Sequence, residues 1–276
     1  MKKSLSLLLA MLLALSLTAC GGSAKTDESA EPVEIQVFAA ASLQESLNAV
    51  IEGYKAVVPD VSVIATYDSS GTLLKQIKEG APCDLFISAA PKQINALDGS
   101  LIGDTEKNPD GLDMITEGTR RDLLENKVTL AVPEGNPAGI ESFDQLAELL
   151  KNGDVLLAMG NSDVPVGQYT QKIFTYYGID EAVIIDKLTY GSNVKEVTTQ
   201  VSEATVDCGI IYGTDAFSAG LTVVDTATAE MCGQVIYPVA VLTCGEQPDA
   251  AQAFLEYLDS DEAKACFEAA GFSPLA

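Results

Sequence analysis

Histidine and tryptophan are absent from this chain of 276 residues, and arginine occurs only at the adjacent positions Arg120 and Arg121. The lack of histidine excludes Ser-His-Asp and Cys-His catalysis and histidine-ligated metal sites. Basic residues are scarce as a class, since 16 lysines and arginines face 40 aspartates and glutamates, for a net charge of −24. Nucleic acid and anionic membranes are therefore poor partners. An anion bound by this chain must be held mostly by neutral donors.

Cysteine is also sparse, and no two cysteines form a CxxC pair, so a zinc or redox motif is unsupported. Cys20 lies near the N-terminus, and five others follow it: Cys83, Cys208, Cys232, Cys244 and Cys266. An odd number outside the cytoplasm leaves at least one free thiol or an intermolecular bond, and the sequence leaves the pairing open. Cys208 lies in an apolar strand-like run and is expected to be a buried structural residue.

A basic start, an apolar run and a small-residue ending predict that residues 1–20 are a signal peptide. The apolar run "SLSLLLAMLLALSL" is short for a bilayer span. The closing residues "LTAC" resemble the bacterial lipobox, which implies that Cys20 becomes the lipidated first residue of the mature protein. Residues 21–32, "GGSAKTDESAEP", are predicted to be a flexible tether. We therefore expect the protein at the extracytoplasmic face of the cell membrane, held there by a lipid anchor only.

From residue 33 onward, strand-like apolar runs alternate with helical ones, which is typical of an α/β protein with mostly parallel sheets. Examples are "EIQVFAA" before "SLQESLNAVIEGYKAV", and "NVKEVTTQVSEA" before "CGIIYG". The length of this segment allows one large domain or two of medium size. We predict one lobe from residues 33–125 plus 234–276 and a second lobe from residues 126–233.

Four strand-to-helix junctions share neutral hydrogen-bond donors. Ser42 follows "FAAA", Ser70 lies in "DSSGT", Val166 lies in "VPVG" and Val194 lies in "GSNVKE". A helix start leaves backbone N–H groups unpaired and carries a partial positive charge. In open α/β sheets such starts collect beyond the carboxyl ends of the strands, where together they can bind an oxyanion without a cationic side chain. At each junction taken singly, the simpler interpretation is a serine or asparagine that only caps a helix.

Tyr212 is a fifth candidate, because it ends the apolar run of "CGIIYGTDA", where its phenol could project into a cleft. A tyrosine that merely packs at a strand end is the alternative. The valines at two of the junctions could contribute only backbone N–H groups, so their side chains carry no functional signal.

Segments that contain these residues resemble the molybdate-binding proteins of bacterial ABC importers. The resemblance runs in order from about residue 33 to the end, through "VFAAASL", "SSGTLLKQIKEGAPCDLFISA", "VPVGQYTQKIF", "GIIYGTDA" and "YPVAV". It implies an α/β, two-lobed periplasmic-binding-protein fold of type II, with crossover strands as a hinge and the ligand cleft between the lobes. A tetrahedral oxyanion would bind there as ligand, with no cofactor, and a monomeric protein would deliver it to an ABC permease.

The resemblance also assigns roles to the candidate residues. By position in the motifs, Ser42 and Ser70 would supply hydroxyl and N–H groups from one lobe. Val166 and Val194 would supply N–H groups from the other lobe, and Tyr212 would supply its hydroxyl. Molybdenum would thus be held as molybdate through its oxygens, with no direct protein ligand.

Asp68 is a departure from the pattern expected of such a site. A carboxylate two residues before Ser70 would repel an anion if it faced the cleft. We therefore expect Asp68 to point away from the cleft or to cap the following helix.

The chemistry of the donors bears on the choice of anion. Molybdate is fully ionised at neutral pH, so a site that offers only donors suits it and disfavours protonated phosphate. Sulfate would have to be excluded by size, and tungstate would not be excluded. Other possibilities are a binder of another oxyanion such as sulfate, an adhesive or sensory lipoprotein, and a serine-dependent enzyme. The enzyme would use Ser42 or Ser70 as nucleophile, but no lysine base stands at a recognisable spacing.

Overall fold

Two β-sheets form the core of the computed structural model, which describes residues 33–275. The strands in chain order are β1 (Val33–Ala40), β2 (Val61–Asp68), β3 (Leu85–Ile87), β4 (Arg121–Asn126), β5 (Val128–Val132), β6 (Leu157–Gly160), β7 (Leu188–Gly191), β8 (Cys208–Tyr212), β9 (Thr222–Thr226), β10 (Val235–Val241) and β11 (Ser273–Pro274). The first sheet has the order β11-β4-β10-β3-β1-β2, and the second has the order β7-β6-β8-β5-β9. The predicted signal peptide, the lipidated Cys20 and the tether lie outside the described residues.

Helices connect the strands and cover the sheets. In chain order they are α1 (Gln44–Val57), α2 (Ser70–Lys78), α3 (Pro91–Asn95), α4 (Phe143–Asn152), α5 (Pro165–Tyr177), α6 (Val194–Ser202), α7 (Gly213–Ser218), α8 (Ala229–Cys232), α9 (Pro248–Tyr257) and α10 (Asp261–Ala269). Short 3₁₀ turns occur at Ala41–Leu43, Gly99–Leu101 and Ile185–Lys187. Within residues 33–275, none of these helices combines the length and apolar character that crossing a bilayer requires.

The prediction of an α/β protein is confirmed, but the prediction of mostly parallel sheets is wrong. Four strand pairs are parallel, namely β1 with β2 and β3, and β6 with β7 and β8. Five are antiparallel, namely β10 with β3 and β4, β11 with β4, and β5 with β8 and β9. Strand–helix alternation reports only on units that are consecutive in the chain. It carries no information on β10, which returns from the second sheet and enters the first against the direction of β3.

The strand registers bring the carboxyl ends of neighbouring parallel strands to the same level. In the first sheet Ala40 at the end of β1 pairs with Asp68 at the end of β2, so the turn Ala41–Leu43 and the start of α2 are neighbours. In the second sheet Gly160 at the end of β6 pairs with Gly191 at the end of β7, which brings the starts of α5 and α6 together. Each sheet therefore presents two helix starts at one edge.

The chain passes between the sheets twice. Asn126 ends β4 and Val128 begins β5, so the first passage takes one residue, and the return lies between Thr226 and Val235. The lobe limits predicted from the sequence, residues 33–125 with 234–276 and residues 126–233, stay a prediction.

Strand β8 is buried along its whole length, as expected for a strand covered on both faces of its sheet. The expected burial of Cys208 is confirmed, since it is fully inaccessible to solvent. All five cysteines of the described residues have free thiols.

Candidate oxyanion-binding site

The five residues predicted to bind an oxyanion line one cavity. Its walls come from elements of both sheets. The predicted residues in the wall are Ser42, Ser70, Val166, Val194 and Tyr212, and the others are Ala40, Ala41, Asp68, Ser69, Ala89, Val164 and Pro165. The structure thus brings together positions up to 170 residues apart in the chain, from 42 to 212. Their role in binding stays a prediction.

Backbone N–H groups at three helix starts are available to a ligand. Ser70 and Val194 are the first residues of α2 and α6, and Val166 is the second residue of α5. None of these three N–H groups donates to a backbone carbonyl or to a side chain of residues 33–275. Unpaired first-turn donors together with the helix dipoles form a favourable environment for negative charge.

Helices α2 and α6 are capped by residues next to the candidates and not by the candidate residues themselves. The Ser69 hydroxyl caps α2 by accepting from the N–H of Thr72 at 3.1 Å. The Asn193 side chain caps α6 by accepting from the N–H of Glu196 at 3.1 Å. The simple capping interpretation is therefore correct for Ser69 and Asn193. It leaves the Ser70 hydroxyl free for another role.

The two candidate hydroxyls are held by buried partners. Ser70 Oγ accepts from the backbone N–H of Ala89 at 2.9 Å, so the hydroxyl proton of Ser70 remains available as a donor. Ser42 Oγ lies 2.9 Å from the hydroxyl of Tyr237, a fully buried residue of β10. Sequence reasoning did not identify Tyr237, because nothing near it in the chain signals a contact with a residue 195 positions away.

Tyr212 brings a buried donor without a partner. It ends β8, its side chain is 1 % exposed, and its hydroxyl has no partner in full hydrogen-bond geometry within residues 33–275, although the Tyr237 hydroxyl is near enough to add to the rise in its pKa. The rings of Tyr169 and Tyr237 flank it, with centroids 6.4 and 5.7 Å away. Burial raises the pKa of the Tyr212 phenol well above its ordinary value, so the proton is present at neutral pH. A buried hydroxyl without a partner costs about 1–3 kcal/mol, and an acceptor in the cavity would offset that cost.

Asp68 does not point away from the cleft, so that part of the expectation is wrong. Asp68 lines the cavity, and its Oδ1 accepts from the N–H of Ser69 at 2.7 Å and from the Asn193 side chain at 3.5 Å. The first contact orders the residue that caps α2, and the second reaches an element of the second sheet. One carboxylate is therefore part of a wall that otherwise consists of hydroxyls, amides and apolar groups.

An ion network links the two sheets beside the cavity. Lys195 Nζ, next to Val194, lies 2.7 Å from a Glu45 carboxylate oxygen on α1 and 3.3 Å from Asp215 Oδ1 on α7. Burial raises the pKa of the Asp215 carboxyl to about 6, although the Lys195 charge acts in the opposite direction. Glu45 and Lys195 are 150 residues apart, so the sequence held no signal of this contact.

The lobes approach closely at Gly71, in the first turn of α2. A Cβ atom at this position would collide with the backbone carbonyl of Asp163, which precedes α5. Glycine is therefore required here by the close approach of two backbones rather than by an unusual φ angle. Within residues 33–275, no group of three or more cysteine, aspartate or glutamate side chains is arranged to hold a metal ion.

Comparisons with known proteins agree with this geometry. Residues 35–273 match the family described as bacterial extracellular solute-binding proteins. YvgL of Bacillus subtilis, whose provisional name describes a substrate-binding lipoprotein of an ABC transporter, is 33 % identical over 276 residues, 99 % of each chain. The molybdate-binding protein ModA of Haemophilus influenzae is 32 % identical over 250 residues, 88 % of this chain and 91 % of that protein.

A solved structure shows the same fold. The periplasmic molybdate-binding protein of Azotobacter vinelandii matches 88 % of this chain and 100 % of its own with a TM-score of 0.71, at 18 % identity. The predicted two-lobed, type II periplasmic-binding-protein fold is confirmed, and so is the resemblance seen in the sequence. This chain belongs to the bacterial extracellular solute-binding proteins and is a binding protein of the ModA type.

Proposed function

We propose that this protein captures molybdate, and also tungstate, between its two lobes and delivers it to an ABC permease. Like the members of its family and its relatives, it is a substrate-binding protein of an ABC transporter and not an enzyme. The observation that carries the choice of ligand is the cavity wall, in which hydroxyls and free N–H groups come from both sheets. Relatives of similar length that are named for molybdate binding support it.

The donors suit an anion that carries no proton. Molybdate presents acceptors on every oxygen at neutral pH, so it can use the hydroxyls of Ser42, Ser70 and Tyr212 together with the N–H groups of Val166 and Val194. Hydrogen bonds to a charged group are stronger than those between neutral groups, so they can replace the hydration of the anion. Contacts with both lobes stabilise the closed form, which the permease would recognise.

The position of Asp68 affects how well the site can discriminate against phosphate. The sequence suggested a site made only of donors, which would reject a protonated oxyanion for lack of an acceptor. The Asp68 carboxylate in the cavity wall is such an acceptor, and hydrogen phosphate could donate its proton to it. Discrimination against phosphate therefore depends on the distance of this carboxylate from the anion, and phosphate belongs in any binding test.

Thermal unfolding and calorimetry test the ligand directly. The chain without residues 1–20 is titrated with molybdate, tungstate, sulfate and phosphate. An anion present at 100 times its Kd adds about 2.7 kcal/mol of stability, which raises the Tm of a domain of this size by roughly 5–10 °C. A shift with molybdate and tungstate alone is expected. An equal shift with sulfate would make the protein a general oxyanion binder, and no shift with any of the four would overturn the proposal.

Substitution of one serine tests whether the anion binds in this cavity. Ser42→Ala should weaken molybdate binding by roughly 1–3 kcal/mol, the usual loss for a hydrogen bond to a charged group. Ser46→Ala is the matched control, because Ser46 is a buried serine of α1 that bonds only the Leu43 carbonyl and does not line the cavity. Equal affinity in both variants would remove Ser42 from the site.

We further propose a lipid anchor on Cys20, with the protein acting as a monomer on the extracytoplasmic face of the membrane. The lipobox-like "LTAC" and the name of the relative YvgL support the anchor. Wild-type protein should incorporate a labelled fatty acid and fractionate with membranes, whereas Cys20→Ala should incorporate none. Incorporation that survives the substitution would contradict the proposal.

A further inference from the structure

Behind the cavity lies a buried chain of hydrogen bonds that ends at Ser42. The Asn126 side-chain nitrogen donates to the Tyr237 hydroxyl at 3.2 Å, and that hydroxyl lies 2.9 Å from Ser42 Oγ. All three side chains are at most 5 % exposed. Of the three residues, Ser42 alone is part of the cavity wall. The distance between two hydroxyls does not say which one donates, so the direction has to come from their other partners.

The backbone determines how the Asn126 amide is oriented. The N–H of Lys127 donates to Asn126 Oδ1 at 2.8 Å, and a backbone N–H can only donate. The amide oxygen is therefore on that side, and the amide nitrogen faces Tyr237 and the Thr214 hydroxyl, which it approaches at 2.9 Å. The amide nitrogen can only donate, so the Tyr237 oxygen accepts from it.

Ser42 Oγ, 2.9 Å from the Tyr237 hydroxyl, is in position to accept the single proton of Tyr237. Burial raises the pKa of the Tyr237 phenol well above its ordinary value, so that proton is present at any pH used for binding. If Tyr237 donates to Ser42 Oγ, the Ser42 proton is free to face the cavity. The reverse direction would turn a lone pair of Ser42 toward an oxyanion and repel it. Donation along the chain also strengthens each later bond, because each donor is polarised by the one before it.

We propose that Asn126 and Tyr237 are positioning residues that orient the Ser42 hydroxyl as a donor to the bound anion. The inference deepens the proposed function and rests on it. Asn126 ends β4, where the chain leaves the first sheet, and Tyr237 lies in β10, where the chain has returned. The orientation of a cavity hydroxyl thus depends on the two strands that flank the passages between the lobes.

A double-mutant cycle tests the direction of the chain. Molybdate affinity is measured by calorimetry for the wild type, Tyr237→Phe, Ser42→Ala and the double variant, all lacking residues 1–20. Tyr237→Phe should weaken binding roughly 3- to 10-fold when Ser42 is present. It should have almost no further effect once Ser42 is alanine, because no hydroxyl is left to orient. Tyr54→Phe, a buried tyrosine away from the cavity, is the control and should bind as the wild type does.

A second variant keeps the test decisive if Tyr237→Phe does not fold. Asn126→Asp has almost the same shape, but a carboxylate has no proton to give, so Tyr237 donates to it and no longer donates to Ser42, whose proton is then free to turn toward Tyr237. The added charge also repels the anion, and this part is measured by repeating the substitution in the Ser42→Ala background. A larger loss with Ser42 present than with Ser42 removed supports the inference.

The outcomes separate the two proposals. Equal losses in both backgrounds, or no loss from Tyr237→Phe while Ser42 is present, would overturn the positioning role and leave the molybdate proposal standing. Failure of the wild type to bind any of the four anions would overturn the proposed function and this inference together.

Discussion

Replacing Tyr212 by phenylalanine should stabilise the unliganded protein and weaken its binding of molybdate, two effects of opposite sign from one oxygen atom. The hydroxyl is buried and has no partner within the described part of the chain, so the unliganded protein gains nothing from it. The ring packs against Tyr169 and Tyr237, and phenylalanine preserves that packing. An ordinary structural tyrosine would behave differently, because losing its hydrogen bond would cost stability.

The magnitudes follow from the two environments of the hydroxyl. Leaving a hydroxyl buried without a partner costs about 1–3 kcal/mol, so its removal should raise the free energy of unfolding without anion by about 1 kcal/mol or more. That corresponds to a rise in Tm of roughly 2–4 °C for each kcal/mol in a domain of this size. With molybdate bound, the lost hydrogen bond to a charged acceptor is worth about 1.5–3 kcal/mol. The Kd should therefore rise roughly 10- to 100-fold.

Chemical denaturation without anion and calorimetry with molybdate measure the two effects separately. Tyr54→Phe is a close control, because the Tyr54 hydroxyl is also buried without a partner but lies outside the cavity wall. It should show a similar gain in stability and no change in Kd. A Tyr212→Phe variant that is less stable without anion, or that binds molybdate as tightly as the wild type, would refute the assignment of Tyr212 to the site.

Three further substitutions probe the charges around the cavity. Asp68→Asn should tighten molybdate binding a few-fold, because the repelling charge is gone while the amide oxygen can still accept from the N–H of Ser69. Weaker binding in calorimetry would mean that the carboxylate supports the site. Glu45→Gln removes one charged partner of Lys195. Because both side chains are partly exposed, the loss in affinity for molybdate should be at most about 1 kcal/mol and should shrink with added salt. Burial raises the pKa of Asp215 from 3.8 to about 6, so between these values the folded protein binds more protons than the unfolded chain and loses stability as pH rises. The free energy of unfolding of Asp215→Asn relative to wild type should thus increase from pH 4 to pH 7 by up to about 3 kcal/mol, and a difference that is flat with pH would contradict this origin.

The elements of the site could be predicted because their signals are local. Helix starts reveal themselves through a few adjacent residues, as with the serine pair before α2, Pro165 at the start of α5 and Asn193 before α6. The position of Tyr212 at the end of an apolar run likewise predicted a strand end at β8. The general rule that such ends meet at one edge of a sheet was then enough to expect a common site.

The wrong predictions concern the direction of strands and contacts between residues far apart in the chain. The antiparallel β10 was missed because alternation of strands and helices says nothing about a strand that returns from another lobe. Asp68 was expected to point away from the cleft or to cap the following helix, yet Ser69 caps that helix, and Asp68 lies in the cavity wall with Ser69 and Asn193 bonded to its carboxylate. Residues near each other in the chain could not reveal this, since one of its two partners lies 125 positions away.

By itself, the sequence determined the class of the fold, the four helix starts and the neutral character of the donors, because each depends on a few consecutive residues or on overall composition. Only the tertiary structure decided that Tyr237 lies behind Ser42, that Lys195 joins Glu45 to Asp215, and that the Tyr212 hydroxyl has no partner in the described part of the chain. These are contacts between residues far apart in the chain. They form only when strands and helices distant in the chain pack together, within one sheet as for Ser42 and Tyr237 or across both as for Lys195 and Glu45, and the chemistry of neighbouring residues does not encode which side chains then meet.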